Sequence, residues 1–260
     1  MTDLVLYELR PPAVVLTINR ADKRNALSRE LIAALIDAFQ RAAADSAARC
    51  VILTGAGSTF CAGMDLAELR ESIDANPPGG DVWDDALTLA KLYDLIYTLP
   101  KPTVAAVNGA AVAGGAGLVT VCDLAIAAPE AKFGYPEVRR GLVAAMVMPH
   151  LLRHVGERTA RYLLLTGELI DGPAAERCGF LNEVVPVDRL LPRALELAKS
   201  LAEGGPQALA ATKTLLRQFS RQSVSIQDAA KASAAPRLSD ECRQGLTAFF
   251  EKKQAPWVSG

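Results

Sequence analysis

The sequence lacks paired cysteines, long apolar runs and a marked excess of either charge. Its five cysteines are scattered and never form a CxxC pair, so neither a disulfide framework nor a zinc ribbon is expected, and a reducing, cytoplasmic environment is predicted. No window approaches the roughly 18 apolar residues of a membrane span, and residues 1–12 do not read as a secretory signal. The formal net charge of -1 gives no polybasic surface, so neither nucleic acid nor an anionic membrane is an expected partner.

Several catalytic and cofactor motifs are also missing. There is no Gly-Lys-Ser/Thr of a Walker loop and no GxSxG elbow, and the glycines Gly115 and Gly117 lack the third glycine and the later acidic residue of a dinucleotide site. His150 and His154 have metal-ligand spacing on a predicted helix, but no HExxH accompanies them, so surface or helix-end roles are favoured. Neither a metal nor a nucleotide cofactor is therefore expected.

Short strands alternating with amphipathic helices predict an α/β fold with parallel pairing and right-handed crossovers. Half of the residues are hydrophobic, which allows a substantial core. The predicted strands are Val14–Ile18, Cys50–Leu53, Thr103–Val107, Leu124–Ala128 and Glu183–Val185. One helix is predicted to begin after an N-cap at Ser28, and two more are predicted over Asp65–Ser72 and Val82–Thr98. From residue 149 onward helix predominates, and residues 187–253 read as successive helices broken at Gly204, Gly205 and Pro206. The proline- and glycine-rich residues 73–81 predict a mobile surface loop, a candidate lid.

Two small-residue turns precede predicted helices, in Phe60–Leu66 and in Asn108–Glu137. The first N–H groups of a helix have no partner inside it, so two such turns can each direct a free N–H at one substrate oxygen. That arrangement is an oxyanion hole. The alternative is that Gly114, Gly115 and Gly117 serve only close packing of a helix on the sheet.

These motifs, with others along nearly the whole chain, resemble the enoyl-CoA hydratase/isomerase, or crotonase, superfamily. The remaining motifs are NALS at Asn25–Ser28, KPTVAAVNGAAVAGGAGL at Lys101–Leu118, CDLAIA at Cys122–Ala127, FGYPEVRRGLV at Phe133–Val143, LLLTGELI at Leu163–Ile170 and FFEKKQAPW at Phe249–Trp257. The run from GGAGL to EVRRGLV is closest to bacterial hydratases acting on methylglutaconyl-CoA and related branched enoyl-CoAs.

The resemblance implies that the N–H groups of Ala62 and Gly114 hold a thioester oxygen and that Glu137 is the catalytic carboxylate. The family's second glutamate falls at Gly117, so only one carboxylate is present. Enoyl-CoA hydration is the leading expectation. A 3,2-enoyl-CoA isomerase or a decarboxylase using the single glutamate is the alternative, and a non-catalytic acyl-CoA binder is the third.

Coenzyme A binding is expected, from the resemblance, on the loops around the two turns and near the C-terminus. The predicted binding residues are Lys23, Arg24, Ala26, Met64, Asp65, Leu66, Gly117, Lys252 and Lys253. The backbone of Met64, Asp65 and Leu66 would contact adenine, and the basic side chains would lie near phosphates, although Lys252 and Lys253 could equally form a solvated helix end. Arg139 and Arg140 could orient or pair with Glu137, or meet a second substrate carboxylate.

The expected architecture is a ββα spiral with a C-terminal helical trimerisation region. Residues 1–195 would form the spiral core with the active site, and residues 196–260 would serve oligomerisation and cover the site. The assembly would be a homotrimer or a homohexamer. Cys61 beside Ala62 is interpreted as a packing residue, because no histidine partner pattern accompanies it.

Overall fold

A computed structural model describes residues 3–74, 82–220, 244, 248, 251–254 and 256–257. Its first sheet has six strands in the order β1-β2-β3-β5-β7-β10. All neighbouring strands in it are parallel except the edge pair β1 and β2, which is antiparallel. The strands are β1 (Val5–Arg10), β2 (Ala13–Ile18), β3 (Cys50–Gly55), β5 (Thr103–Val107), β7 (Leu124–Ala127) and β10 (Glu183–Val184).

A second sheet of short strands has the order β4-β6-β8-β9. Its members are β4 (Thr59–Cys61), β6 (Ala110–Val112), β8 (Lys132–Gly134) and β9 (Ile170–Asp171). Each of β3, β5 and β7 is followed at once by a strand of this sheet and then by a helical segment, so the chain repeats a ββα unit as it advances. The predicted spiral is thus confirmed. The second sheet and β1 were absent from the sequence-based prediction.

The helices are α1 (Arg29–Ala44), α2 (Leu66–Asp74), α3 (Val82–Thr98), α4 (Gly114–Val121), α5 (Met148–Thr166), α6 (Gly172–Arg177), α7 (Val187–Ala202) and α8 (Pro206–Phe219). As predicted, Ser28 caps α1 by accepting a hydrogen bond from the Leu31 N–H at 3.2 Å. α5 is interrupted at Gly156, whose φ of 68° is not helical. Among the described residues, no helix combines the length and hydropathy needed to cross a membrane.

The first sheet is buried on both faces, which is why its central strands are continuous apolar runs. Val14, Val51 and Ala105 belong to the larger core, to which α1, α3 and α4 also contribute buried side chains. Their strand neighbours Val15 and Ile52 face the opposite side, where α7 packs. The carboxyl ends of β2, β3 and β5 are thereby held in fixed register, and the loops that leave them converge.

The end of the chain only partly matches the prediction. Successive helices broken at Gly204–Pro206 are confirmed up to Phe219, whereas most of residues 221–250 lie outside the described residues, as do residues 75–81 of the candidate lid. The proposed division between residues 195 and 196 falls inside α7, whose Ala194 and Ala198 both pack on the sheet, so it is not a boundary in the structure. The oligomerisation role of residues 196–260 stays a prediction.

Candidate active site

The turn after β4 is shaped by an isolated parallel bridge between Leu27 and Met64. The Leu27 N–H donates to the Gly63 carbonyl at 2.8 Å, and the Asp65 N–H donates to the Leu27 carbonyl at 3.0 Å. In such a bridge the residue between the two bonded groups directs its own N–H to the opposite side. Among the described residues, no group accepts a hydrogen bond from the Met64 N–H. That amide is therefore available on the side away from Leu27, where Met64 lines a cavity.

The prediction that Ala62 provides a free amide is wrong. The Ala62 N–H donates to the Arg24 carbonyl at 3.1 Å, so it is already used to fix the loop after β2. Ala62 does line the cavity, but it does so as a small side chain that leaves room. The unpaired amide of this turn lies two residues later, at Met64.

The second turn connects β6 to α4. Ala113 adopts φ 53°, ψ -123°, and Gly114 is the first residue of α4, so its N–H has no partner within the helix. The two turns are adjacent, because a methyl group added to Gly63 would lie only 3.2 Å from the Gly114 nitrogen. Gly63 also has φ 91°, a conformation that strains any other residue. The Met64 and Gly114 amides thus belong to touching turns that line one cavity.

Glu137 lies in a short 3-10 turn, Pro136–Arg140, which follows β8. The carboxylate oxygen Oε2 is buried and has no hydrogen-bond partner among the described residues. Burial raises the pKa of Glu137, while its own backbone N–H and the positive charge of Arg140 act in the opposite direction. A carboxylate with a raised pKa is suited to exchanging a proton near neutral pH.

The cavity between these groups has a volume of about 340 Å³. Its lining includes Ala62 and Met64 from the first turn, Gly114 from the second, and Glu137 from the 3-10 turn after β8. Apart from Glu137 and Arg140, the rest of the wall is largely apolar, with contributions from Ala26, Leu66, Leu69, Leu89, Tyr93, Val112, Ala113, Pro136, Leu142, Val143, Ala144, Ala145, Met146 and Val147. A carboxylate in such surroundings is only weakly solvated, which accounts for its raised pKa.

Gly117 does not line this cavity, contrary to the prediction. A methyl group at Gly117 would lie 2.5 Å from the hydroxyl oxygen of Tyr93, 2.7 Å from its Cζ and 2.7 Å from Cγ1 of Val147. The space beside Gly117 is therefore filled by the Tyr93 ring, which comes from α3. Sequence reasoning missed Tyr93, because it lies outside the glycine-rich motif and in a helix far away along the chain.

The predicted coenzyme A residues differ in how they stand to the cavity. Ala26, Met64 and Leu66 line the cavity. Lys23 and Arg24 are exposed on the 3-10 turn that precedes Ala26, so they flank the cavity without lining it.

The Asp65 N–H is not free to bind a ligand, and the contact between the Asp65 backbone and adenine stays a prediction. Its N–H is bonded to Leu27 and its carbonyl accepts from Leu69. Its carboxylate instead pairs with Arg20 at 2.7 Å and accepts from the Ala67 N–H at the start of α2. Asp65 therefore stabilises the turn rather than facing the cavity.

The structure does not bring Lys252 and Lys253 to this cavity. Both are exposed, and Lys253 pairs with Glu251 at 2.9 Å. Close by in the sequence, the Trp257 carbonyl accepts from Arg49, the residue just before β3. This is the amino end of the strand, whereas the cavity lies at the carboxyl ends. Binding to the ligand of an adjacent subunit stays a prediction.

A buried asparagine holds the loop that carries Ala26. Asn25 is fully buried with φ 55°, and its side chain accepts from the Arg20 N–H at 2.9 Å and donates to the carbonyls of Ala56 at 3.0 Å and Thr59 at 2.6 Å. The asparagine of the NALS motif is thus explained by loop geometry rather than by contact with a ligand.

The remaining reactive side chains near the site serve packing. Burial raises the pKa of the Cys61 thiol to about 12, so it is not a thiolate nucleophile at neutral pH. The His154 ring is 2.9 Å from the Thr120 carbonyl, and the His150 ring packs edge-on against Tyr97. The described residues contain no cluster of three side chains suited to holding a metal ion.

The chain is similar to known proteins over nearly its full length. A family model described as enoyl-CoA hydratase/isomerase matches residues 12–260. A Thermus thermophilus protein described provisionally as an enoyl-CoA hydratase is 41% identical over 243 residues, covering 92% of this chain and 94% of that protein. The 2,3-dehydroadipyl-CoA hydratase of Escherichia coli is 33% identical over 260 residues, covering 97% of each. The structure of an enoyl-CoA hydratase from Shewanella pealeana has a TM-score of 0.91 at 30% identity, covering 98% of this chain and 96% of that one.

A ββα spiral with a largely apolar cavity at the carboxyl ends of its strands is the architecture of the crotonase superfamily. Together with the match over residues 12–260, it shows that the chain belongs to the enoyl-CoA hydratase/isomerase family.

Proposed function

We propose that this protein is an enoyl-CoA hydratase that adds water across the 2,3 double bond of an enoyl-CoA. The observation that carries the proposal is that Met64 and Gly114, whose amides have no partner among the described residues, line one cavity together with the buried carboxylate of Glu137. Such a site can hold a thioester oxygen and move a proton beside it.

In the proposed reaction, Glu137 removes a proton from water while the water oxygen attacks the β-carbon. The electron pair of the double bond moves toward the thioester, and negative charge accumulates on its oxygen. The Met64 and Gly114 amides stabilise that enolate, each contributing roughly 3 kcal/mol in the transition state. The protonated Glu137 then returns its proton to the α-carbon, so that one water is added and the carboxylate is regenerated.

The volume and apolar wall of the cavity suit a small unsaturated acyl group, and we extend the proposal to branched chains of the methylglutaconyl type. Val143, Ala144 and Ala145 also line the cavity, and their modest size leaves room for a branch. Arg140 also lines the cavity and offers a cation to a carboxylate on the acyl chain. Comparing kcat/KM for crotonyl-CoA, 3-methylcrotonyl-CoA and 3-methylglutaconyl-CoA tests this preference.

We place the coenzyme A moiety over the loop after β2. Lys23 and Arg24 are exposed there and supply positive charge for phosphates, while Ala26 and Leu66 line the adjoining wall of the cavity. A homotrimer or homohexamer is also proposed, and exposed apolar residues such as Leu165 and Leu216 are available for contacts between subunits. Light scattering of the purified protein measures that state.

Isomerisation is the second candidate, favoured by the presence of one carboxylate and by the closed space at Gly117. A single base can move a proton between the α- and γ-carbons of a 3-enoyl-CoA. Loss of conjugated enoyl absorbance from crotonyl-CoA marks hydration, and its appearance from a 3-enoyl-CoA marks isomerisation. Binding without either reaction indicates an acyl-CoA binder, and carbon dioxide release from a carboxylated substrate indicates a decarboxylase.

The decisive variant is Glu137→Gln, which keeps the shape of the side chain and removes the base. Hydration is expected to fall by at least about a hundredfold, since general acid-base catalysis contributes on this scale. The matched control is Glu157→Gln, whose exposed carboxylate pairs with Arg161 on the same helix. Full hydration activity in Glu137→Gln would contradict the proposal.

A further inference from the structure

Among the described residues, Tyr93 is the polar side chain closest to where a side chain at position 117 would begin, and the resemblance places the family's second glutamate at that position. Its ring extends from α3, is only 3% exposed and forms part of the cavity wall. Its hydroxyl donates a hydrogen bond to the Gly114 carbonyl at 2.7 Å. Tyr93 therefore contacts the same residue whose N–H is one of the two unpaired amides.

The position of the Tyr93 ring requires glycine at position 117. Any side chain at Gly117 would place its first carbon 2.5 Å from the Tyr93 hydroxyl oxygen and 2.7 Å from Cγ1 of Val147, both impossible distances. The phenol consequently occupies the place where a carboxylate extending from position 117 would begin. The Tyr93 hydroxyl thus lies at the edge of the site where the side chain of the family's second glutamate would begin.

The hydrogen-bonding state of the phenol is defined by its surroundings. Burial, with added repulsion from Cys61, Tyr135 and Glu137, raises the pKa of Tyr93 well above its ordinary value, so the phenol stays protonated. Its one proton is committed to the Gly114 carbonyl. A hydroxyl oxygen that donates its proton still accepts hydrogen bonds, so the oxygen is left as an acceptor.

We propose that Tyr93 is a positioning residue for the water that is added to the enoyl-CoA. This inference rests on the proposed hydratase function. One hydrogen of the water bonds to the Tyr93 oxygen, and the other is taken by Glu137 as the water oxygen attacks the β-carbon. Tyr93 exchanges no proton in this step. Two acceptors fix the direction of the attacking lone pair, which a single carboxylate cannot do.

The test is Tyr93→Phe, which retains the ring and removes only the hydroxyl. The expected result is a roughly tenfold loss of kcat for crotonyl-CoA hydration with KM changed less than about twofold. The matched control is Tyr97→Phe, the same change one helical turn later, where the ring packs against His150 instead of lining the cavity. That variant is expected to hydrate at the unmodified rate. Thermal melting of both variants confirms that they are folded at the assay temperature.

A second measurement separates water positioning from an effect on the Gly114 amide. Exchange of the α-proton of butyryl-CoA with D2O needs Glu137 and the oxyanion amides but no attacking water. Tyr93→Phe is expected to lower hydration much more than exchange. An equal fall in both rates would assign Tyr93 to the amide and overturn the inference, as would an unchanged hydration rate.

These experiments distinguish a failure of the proposed hydratase function from a failure of the role proposed for Tyr93. If unmodified protein hydrates crotonyl-CoA, Glu137→Gln does not, and Tyr93→Phe retains full activity, only the role of Tyr93 is wrong. If the unmodified protein exchanges the α-proton but hydrates no enoyl-CoA, the proposed function and this inference both fail.

Discussion

Substituting alanine for Gly117 tests whether the Tyr93 ring fills the space beside it. The new methyl group would make three contacts shorter than 3.0 Å, two with Tyr93 and one with Val147. Overpacking of a closed core costs about 1–3 kcal/mol, and three simultaneous contacts favour the upper end of that range. Replacing glycine by alanine inside a helix returns up to about 1 kcal/mol. The net loss of unfolding free energy is therefore about 2 kcal/mol.

For a chain of this length, a loss of that size lowers Tm by about 4–8 °C. Denaturant titration and thermal melting of Gly117→Ala measure it. The same substitution in a Tyr93→Ala background should cost clearly less, because the two closest contacts are gone, and this double-mutant cycle isolates the pair. A Gly117→Ala protein as stable as the unmodified one would refute the reasoning, because it would show that the space is not filled.

Three further predictions follow from other parts of the site. Asn25→Ala should lower the unfolding free energy by about 3 kcal/mol in a urea titration, because three partly buried main-chain groups lose their partner; a loss under about 1 kcal/mol would show that Asn25 does not hold this loop. In the pH profile of kcat/KM, activity should fall on the acid side with an apparent pKa above the ordinary glutamate range, because burial raises the pKa of Glu137 and the ionised form is the base. Arg140→Gln should move the acid side of this profile to higher pH, because the positive charge that lowers the pKa of Glu137 is lost. A shift to lower pH would show that Arg140 does not act on Glu137 in this way. Iodoacetamide at neutral pH should label the half-buried Cys178 while leaving Cys61 unlabelled, as measured by peptide mass spectrometry; rapid labelling of Cys61 would show that the turn opens.

The longer elements of the fold could be predicted from sequence because their patterns are local. β5 (Thr103–Val107) and α3 (Val82–Thr98) have the predicted bounds, and Ser28 caps α1 as expected. The strands of the second sheet are two or three residues long, which is too short for any periodicity to appear. Their pairing depends on contacts between chain segments far apart in sequence.

The site was predicted in part. The placement of Gly114 and Glu137 in one cavity agrees with the sequence-based prediction, whereas the partner amide was placed at Ala62 instead of Met64. Which N–H of a turn stays free depends on the bridge to Leu27, and a motif does not show the direction of a hydrogen bond. Likewise, the sequence shows that the carboxylate at Gly117 is missing but does not show that Tyr93 occupies its place.

The central claim is that the Met64 and Gly114 amides together hold the thioester oxygen beside Glu137. A crystal structure with butyryl-CoA, which has no double bond to hydrate, tests it most directly. The account predicts that the thioester oxygen lies about 2.7–3.1 Å from both nitrogens, with the α-carbon facing the Glu137 carboxylate. A thioester oxygen bound to the Ala62 amide, or lying away from both turns, would contradict it.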